Sequence, residues 1–168
     1  LRAQGEGTIV QFSSIGGRVG GTAGLGSYQA AKFAVDGFTR VLAAETAPLG
    51  IRYLVVEPGG FATDWAGSSM RIQDVAPEYA QTVGAVVRML SGPASAAGDP
   101  KRAGEILVRV VKKHTLPSHL ILGAGAVQMA QGYSRSQLAE AAAWAPLSRS
   151  ADFDQDYLVD LVDLADHA

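Results

Sequence analysis

The stretch that decides the fold is "SSIGGRVGGTAGLGSYQAAKFAVDGF", Ser13–Phe38. It joins a pair of serines, a run of glycines, and a tyrosine followed one helical turn later by a lysine. Two readings compete for it. Either the glycines cradle the phosphates of a nucleotide, or the segment carries acid–base chemistry.

The flanks set the terms. Upstream, "GTIVQFSS" (Gly7–Ser14) is short and rich in β-branched and aromatic residues, and reads as a strand buried on both faces. Downstream, Tyr28 to about Ala47 reads as a helix. Its apolar stripe is Ala31, Ala34, Val35, Phe38, Val41 and Leu42, with Phe33, Gly37 and Ala44 as a second smooth face. Pro48 and Gly50 end it, and "IRYLVVEPGG" (Ile51–Gly60) is the next strand.

A strand, glycines, a helix and a strand ending near Glu57 copy the outline of a dinucleotide-binding unit. The details do not fit. Gly16, Gly17, Gly20, Gly21, Gly24 and Gly26 contain no G-x-G-x-x-G, and the loop is too long for a tight strand-to-helix turn. Glu57 lies about thirty residues beyond the last glycine, where a ribose-binding acid stands about twenty on. The glycines read instead as a flexible bend between serine and tyrosine.

Helices are expected around Pro77–Leu90, Lys101–Lys113 and Ala126–Trp144, a loop at Ser91–Pro100, and a third strand at "HLILG" (His119–Gly123). This alternation predicts an α/β fold with a parallel sheet and right-handed crossovers. Ser150–Ala168 carries six aspartates with Tyr157, Leu158, Leu161 and Val162 at helical spacing, and reads as an acidic amphipathic tail. The organisation expected is one domain over residues 1–150 followed by the tail over 151–168.

Composition narrows the function. An apolar fraction of 48%, a charged fraction of 18% and a net charge of −2 describe an ordinary globular chain. "VKKH" (Val111–His114) is too short a basic run to favour nucleic acid or an anionic membrane. The absence of cysteine removes thiolate chemistry and suits a reducing compartment, so the cytoplasm is expected. His114, His119 and His167 stand near no evident carboxylate partner, and no metal site is expected.

Tyr28 and Lys32 rise from one helix face. An ammonium beside a phenol favours the phenolate, which makes Tyr28 a candidate general acid/base. A hydroxyl at the end of the preceding strand, Ser14 or its neighbour Ser13, would hydrogen-bond the same reacting oxygen.

With these motifs in order, the sequence resembles the classical short-chain dehydrogenase/reductases. "TIVQFSSIGG" followed by "SYQAAKFAVDGF" is similar to that family's serine strand and Tyr-x-x-x-Lys helix. "IRYLVVEPGGFATD" is similar to its following strand, Pro-Gly turn and threonine. The resemblance is tight over Thr8–Asp64 and looser to about Asp154. It implies Ser14 as the substrate-orienting serine, Ser13 being the competitor, Tyr28 as acid/base, and Lys32 as the holder of the nicotinamide ribose. Thr63, with the backbone of Pro58, Gly59 and Phe61, would contact the carboxamide. The implied cofactor is NAD or NADP, without a selecting residue to choose between them.

By the same resemblance, the fold is the C-terminal half of a Rossmann-like doubly wound sheet, about three parallel strands with flanking helices. The family's phosphate loop and proton-relay asparagine find no counterpart here. The chain is therefore expected to be either part of a longer enzyme or a short product without catalysis that acts as an interaction module. Trp65, Met70, Tyr79, Val86 and Met89 would suit a lid over a small apolar alcohol or ketone, or equally pack that region against the sheet. In that family helices like the one from Tyr28 to Ala47 often meet a partner's copy, so the resemblance implies a homo-oligomer, with an intramolecular cover of the smooth Phe33, Gly37 and Ala44 face as the equal alternative.

Overall fold

The computed structural model describes residues 1–66, 70–91 and 97–154. Among the described residues the sheet has three parallel strands in the order β1 (Gly7–Phe12), β2 (Ile51–Pro58), β3 (His119–Leu122). Gly7 to Phe12 pair in step with Ile51 to Val56, and Val55 to Pro58 with His119 to Leu122. Helix α1 (Gly16–Val19) and helix α2 (Gly26–Thr46) connect the first two strands. Helices α3 (Val83–Leu90) and α4 (Pro100–Val111) precede β3, and α5 (Ala124–Arg149) follows it. The chain divides into two compact units, Leu1–Ala130 and Gln131–Ala168. The sheet and every residue discussed below as part of a site belong to the first.

The predicted α/β architecture is present, with three informative differences. First, β1 is half-buried rather than buried on both faces, and Phe12 is exposed. Among the described residues it ends the sheet and pairs with β2. Second, the glycine run is not simply a flexible bend, because it contains the helical turn α1. A Cβ at Gly17 would collide with the Ser13 hydroxyl and lie 2.7 Å from Lys32 Cβ, so this glycine is where α1 and α2 come into contact. Third, α2 is turned relative to its expected stripe. Gln29 and Thr39 are buried and Lys32, Val35, Asp36 and Leu42 are half-buried, whereas Ala31, Ala34, Phe38 and Val41 are exposed. Polar residues follow the helical period on the inward face because each finds a partner there, and those bonds outweigh the transfer of a few apolar groups.

The opposite side of the sheet is conventional. Leu54, Val56 and Leu122 are buried, with Leu107, Val110 and Val111 of α4 packed against them. Each such side chain contributes about 1.5–3 kcal/mol by leaving water. Pro100 opens α4 at a position that needs no N–H, and the Asp99 carboxylate accepts from the N–H groups of Lys101 and Arg102 at 2.8 and 3.4 Å. The expected Pro77–Leu90 helix is instead a single turn at Pro77–Tyr79 followed by α3. The last helix is longer than expected and carries Pro146 inside it. Residues 155–168, most of the acidic tail, lie outside the described residues.

Candidate active site

β1 and β2 run parallel, so their C-terminal ends open on one side of the sheet. The connections that leave them, Ser13–Gly16 and Gly59–Thr63, form a cleft of about 870 Å³ there. Ser14, Tyr28, Pro58, Gly59, Phe61 and Thr63 all line it, six of the seven residues singled out from sequence. The seventh, Lys32, lies beside it. Its Nζ sits 5.8 Å from the centre of the Tyr28 ring and donates a hydrogen bond to the Phe12 carbonyl at 2.9 Å.

The two serines are built differently. The Ser13 hydroxyl donates to the Lys32 main-chain carbonyl at 2.9 Å and ties the strand end to α2. Ser14 Oγ accepts from the Gly16 N–H at 3.1 Å, an arrangement that leaves the hydroxyl proton available to another acceptor. Both are buried, and both border the cleft.

The opposite wall is held by backbone. Ile15 N–H donates to the Pro58 carbonyl and Gly59 N–H to that of Leu122. Phe61 bridges to Gly98, with Ala62 N–H donating to the Gly98 carbonyl and Gly98 N–H to that of Gly60. Thr63 N–H donates to the Phe61 carbonyl at 2.8 Å, and the Thr63 hydroxyl oxygen lies 3.4 Å from the Trp65 N–H. Trp65 in turn packs its ring 5.3 Å from that of Tyr28 at a 53° tilt.

Charged pairs fasten the same layer. Glu57, 1% exposed, accepts from Arg18 Nε at 2.8 Å, so it serves the packing of α1 rather than a ribose. Asp36 on α2 meets His119 Nε2 at 2.6 Å and Arg40 at 3.0 Å. His119 Nε2 also lies 3.2 Å from the Arg40 guanidinium, and its Nδ1 3.0 Å from the Ser118 hydroxyl. Burial by itself would raise the Asp36 carboxyl, but the hydrogen bonds and charges of Arg40 and His119 hold it below the usual carboxylate range. The Asp36 hydrogen bond raises Arg40 further.

This corrects the expectation that no histidine has a carboxylate partner. Asp36 and Arg40, one helical turn apart, are a pair that sequence displays, but nothing local announces a histidine 83 positions away. The tilted packing of Trp65 against Tyr28 and the acceptor for Lys32 were missed for the same reason.

The residues fit the nicotinamide end of a dinucleotide. The ammonium of Lys32 has three N–H groups and gives one to Phe12, leaving others for ribose hydroxyls. No helix among the described residues is long and apolar enough to cross a membrane.

Comparison with known proteins agrees with this geometry. Residues 1–92 match the family model described as short chain dehydrogenase. The chain is 42% identical over 149 residues to oxidoreductase BOA17 of Botryotinia fuckeliana, covering 88% of this chain and 54% of that protein. It is 48% identical over 63 residues to the short-chain reductase protein NovJ of Streptomyces niveus, 38% of this chain and 23% of that one. Among solved structures, a short-chain dehydrogenase from Streptomyces avermitilis superposes with a TM-score of 0.80 at 35% identity, over 90% of this chain and 55% of its own. The chain thus spans about half the length of BOA17 and of the avermitilis enzyme. A match over more than half its residues, carried by the strand, helix and turn that build the cleft, makes the chain a member of the short-chain dehydrogenase family.

Proposed function

We propose that the cleft interconverts an alcohol and a carbonyl at the Tyr28 hydroxyl, with NAD or NADP as the cofactor. The observation that carries this reading is the gathering of Ser14, Tyr28 and the Pro58–Thr63 turn on one cleft, with Lys32 fixed beside the phenol ring. A bound nicotinamide supplies or accepts the hydride. The Tyr28 phenol donates its proton to the carbonyl oxygen during reduction and takes it back during oxidation. The Ser14 hydroxyl donates to the same oxygen and holds it where the proton is transferred. Lys32 lies beside the phenol ring and offers its remaining N–H groups to the ribose. The backbone and hydroxyl around Thr63 receive the carboxamide.

The substrate class proposed is a small apolar alcohol or ketone, and the working compartment the cytoplasm. The test pairs cofactor-fluorescence titration with turnover of simple ketones in the complete enzyme that carries this segment. Tyr28→Phe is expected to lower turnover by about 10²–10⁴-fold while cofactor affinity holds. Retained turnover in that variant overturns the assignment.

The outward face of α2 favours a second role alongside or in place of catalysis. Phe33, Phe38 and Val41 are 42, 60 and 54% exposed, an apolar surface of the kind that pairs with another chain. A homo-oligomer joined through this face is the form proposed. Sedimentation that shows a monomer at micromolar concentration removes it.

A further inference from the structure

The path from Ser14 to α2 runs through Gly16, Gly17, Gly20 and Gly21, the last two at φ +63° and +75°. Glycine loses more conformational freedom on ordering than any other residue, so this path needs ties to keep one shape. Ile15 N–H on the Pro58 carbonyl, Gly17 against Lys32, and Arg18 on Glu57 supply some of them. The ends of the glycine path, Gly16 and Thr22, meet a different side chain. Gln29 follows Tyr28 in α2 and is 7% exposed. Its Oε1 accepts from the Thr22 N–H at 3.2 Å. The rest of the side chain lies beside Gly16, with Nε2 and Cγ 3.5 and 3.7 Å from where a Cβ of that glycine would stand. Ser14 Oγ lies 3.5 Å from the same point and accepts from the Gly16 N–H at 3.1 Å. Gly16 is therefore flanked by the Gln29 amide and the Ser14 hydroxyl.

We infer that Gln29 is a positioning residue for Ser14. By holding Thr22 and bordering Gly16, it keeps in place the Gly16 N–H that orients the Ser14 hydroxyl. The inference rests on the reading of Ser14 given above and deepens it. The serine's aim is then set from α2, the helix that also carries Tyr28, so the two groups that meet the reacting oxygen share one reference. A loosened Gly16 frees Oγ to turn to its other staggered positions, where its proton misses that oxygen. An apolar residue at 29 would leave the Thr22 N–H without its acceptor.

The experiment compares Gln29→Leu, Gln29→Glu, Ser14→Ala and the Ser14→Ala/Gln29→Leu double variant in the complete enzyme that carries this segment. Leucine keeps bulk beside Gly16 and accepts nothing, whereas glutamate keeps an acceptor oxygen for Thr22. Two quantities are read: hydrogen exchange at the Gly16 amide, and single-turnover reduction of cyclohexanone at saturating NADH or NADPH. Gln29→Leu is expected to speed Gly16 exchange about tenfold and to slow hydride transfer about 10–10²-fold, with cofactor affinity unchanged. Gln29→Glu returns both to within about threefold of wild type, and in the Ser14→Ala background the leucine costs less than about twofold. Gln29→Met replaces Gln29→Leu if the latter does not fold. Unchanged Gly16 exchange or an unchanged rate in Gln29→Leu overturns the inference. So does a glutamate variant as slow as the leucine one, or an equal loss in both backgrounds, the mark of a structural role or a direct ligand contact. These failures leave the reading of Ser14 standing. A Ser14→Ala variant with the wild-type rate removes that reading and the inference with it. If the wild type does not reduce cyclohexanone, Gly16 exchange decides alone.

Discussion

On the α4 face of the sheet, Leu54, Val56 and Leu122 meet Leu107, Val110 and Val111. On the α2 face the strands present Glu57 and His119 to Arg18 and Asp36. The first face stabilises through area removed from water, which is nondirectional and tolerant of small shifts. The second is held by hydrogen bonds and ion pairs whose desolvation offsets much of their attraction. Those bonds are directional, and α2 is the helix that carries Tyr28 and Lys32. The α4 face is therefore dominated by apolar packing, whereas the α2 face adds, to the buried Val55 and the Ile15, Ala126 and Ala130 cluster, the directional bonds that fix where the candidate catalytic groups stand.

The comparison is broken most severely at Arg18. Arg18→Met strands Glu57, 1% exposed, without its counter-charge, and should cost about 3–5 kcal/mol in urea unfolding. Adding Glu57→Leu should recover most of that, because two apolar residues replace a pair that contributes little net. If the single variant is as stable as wild type, the polar layer is not the constraint described. Leu54→Ala, on the other face, should cost about 2–5 kcal/mol and leave any cofactor affinity unchanged once the protein is folded. A loss of affinity there would mean the two faces are not separable.

Asp36 sharpens the contrast through pH. Its carboxyl is held low in the folded chain, so the unfolded chain takes up a proton first as the solution is acidified. The stability it contributes is complete above the unfolded value of about 3.9 and is lost as pH falls toward the folded one. Thermal unfolding between pH 6 and 3 should show this acid loss in the wild type and a flatter profile in Asp36→Asn. Parallel profiles would remove Asp36 from the account. Smallest is Asp99→Ala at the start of α4, expected to cost about 1 kcal/mol by loss of the cap, with no effect on the α2 face.

The same contrast explains what sequence could reveal. The strands, the parallel order and the cleft residues were legible because they depend on alternation, turn residues and motifs within short windows. The inward face of α2 was misread because Ala31, Ala34, Phe38 and Val41 form the better apolar stripe. What buries Asp36 and Lys32 instead is a histidine on β3 and a carbonyl on β1. Partners that distant leave no periodic trace. The helical turn at Gly16–Val19 was hidden similarly, since Gly17 is read locally as freedom and acts in the fold as a contact.

Lys32 has a consequence for motion. Its side chain donates to Phe12 while its own carbonyl accepts from Ser13, so one residue is latched to consecutive residues of the adjoining strand end in opposite senses. Sliding α2 along its axis would break both latches together, and Tyr28 travels with Lys32 on the same rigid rod. The tyrosine, the lysine and the serine end of β1 therefore behave as the fixed jaw of a vice.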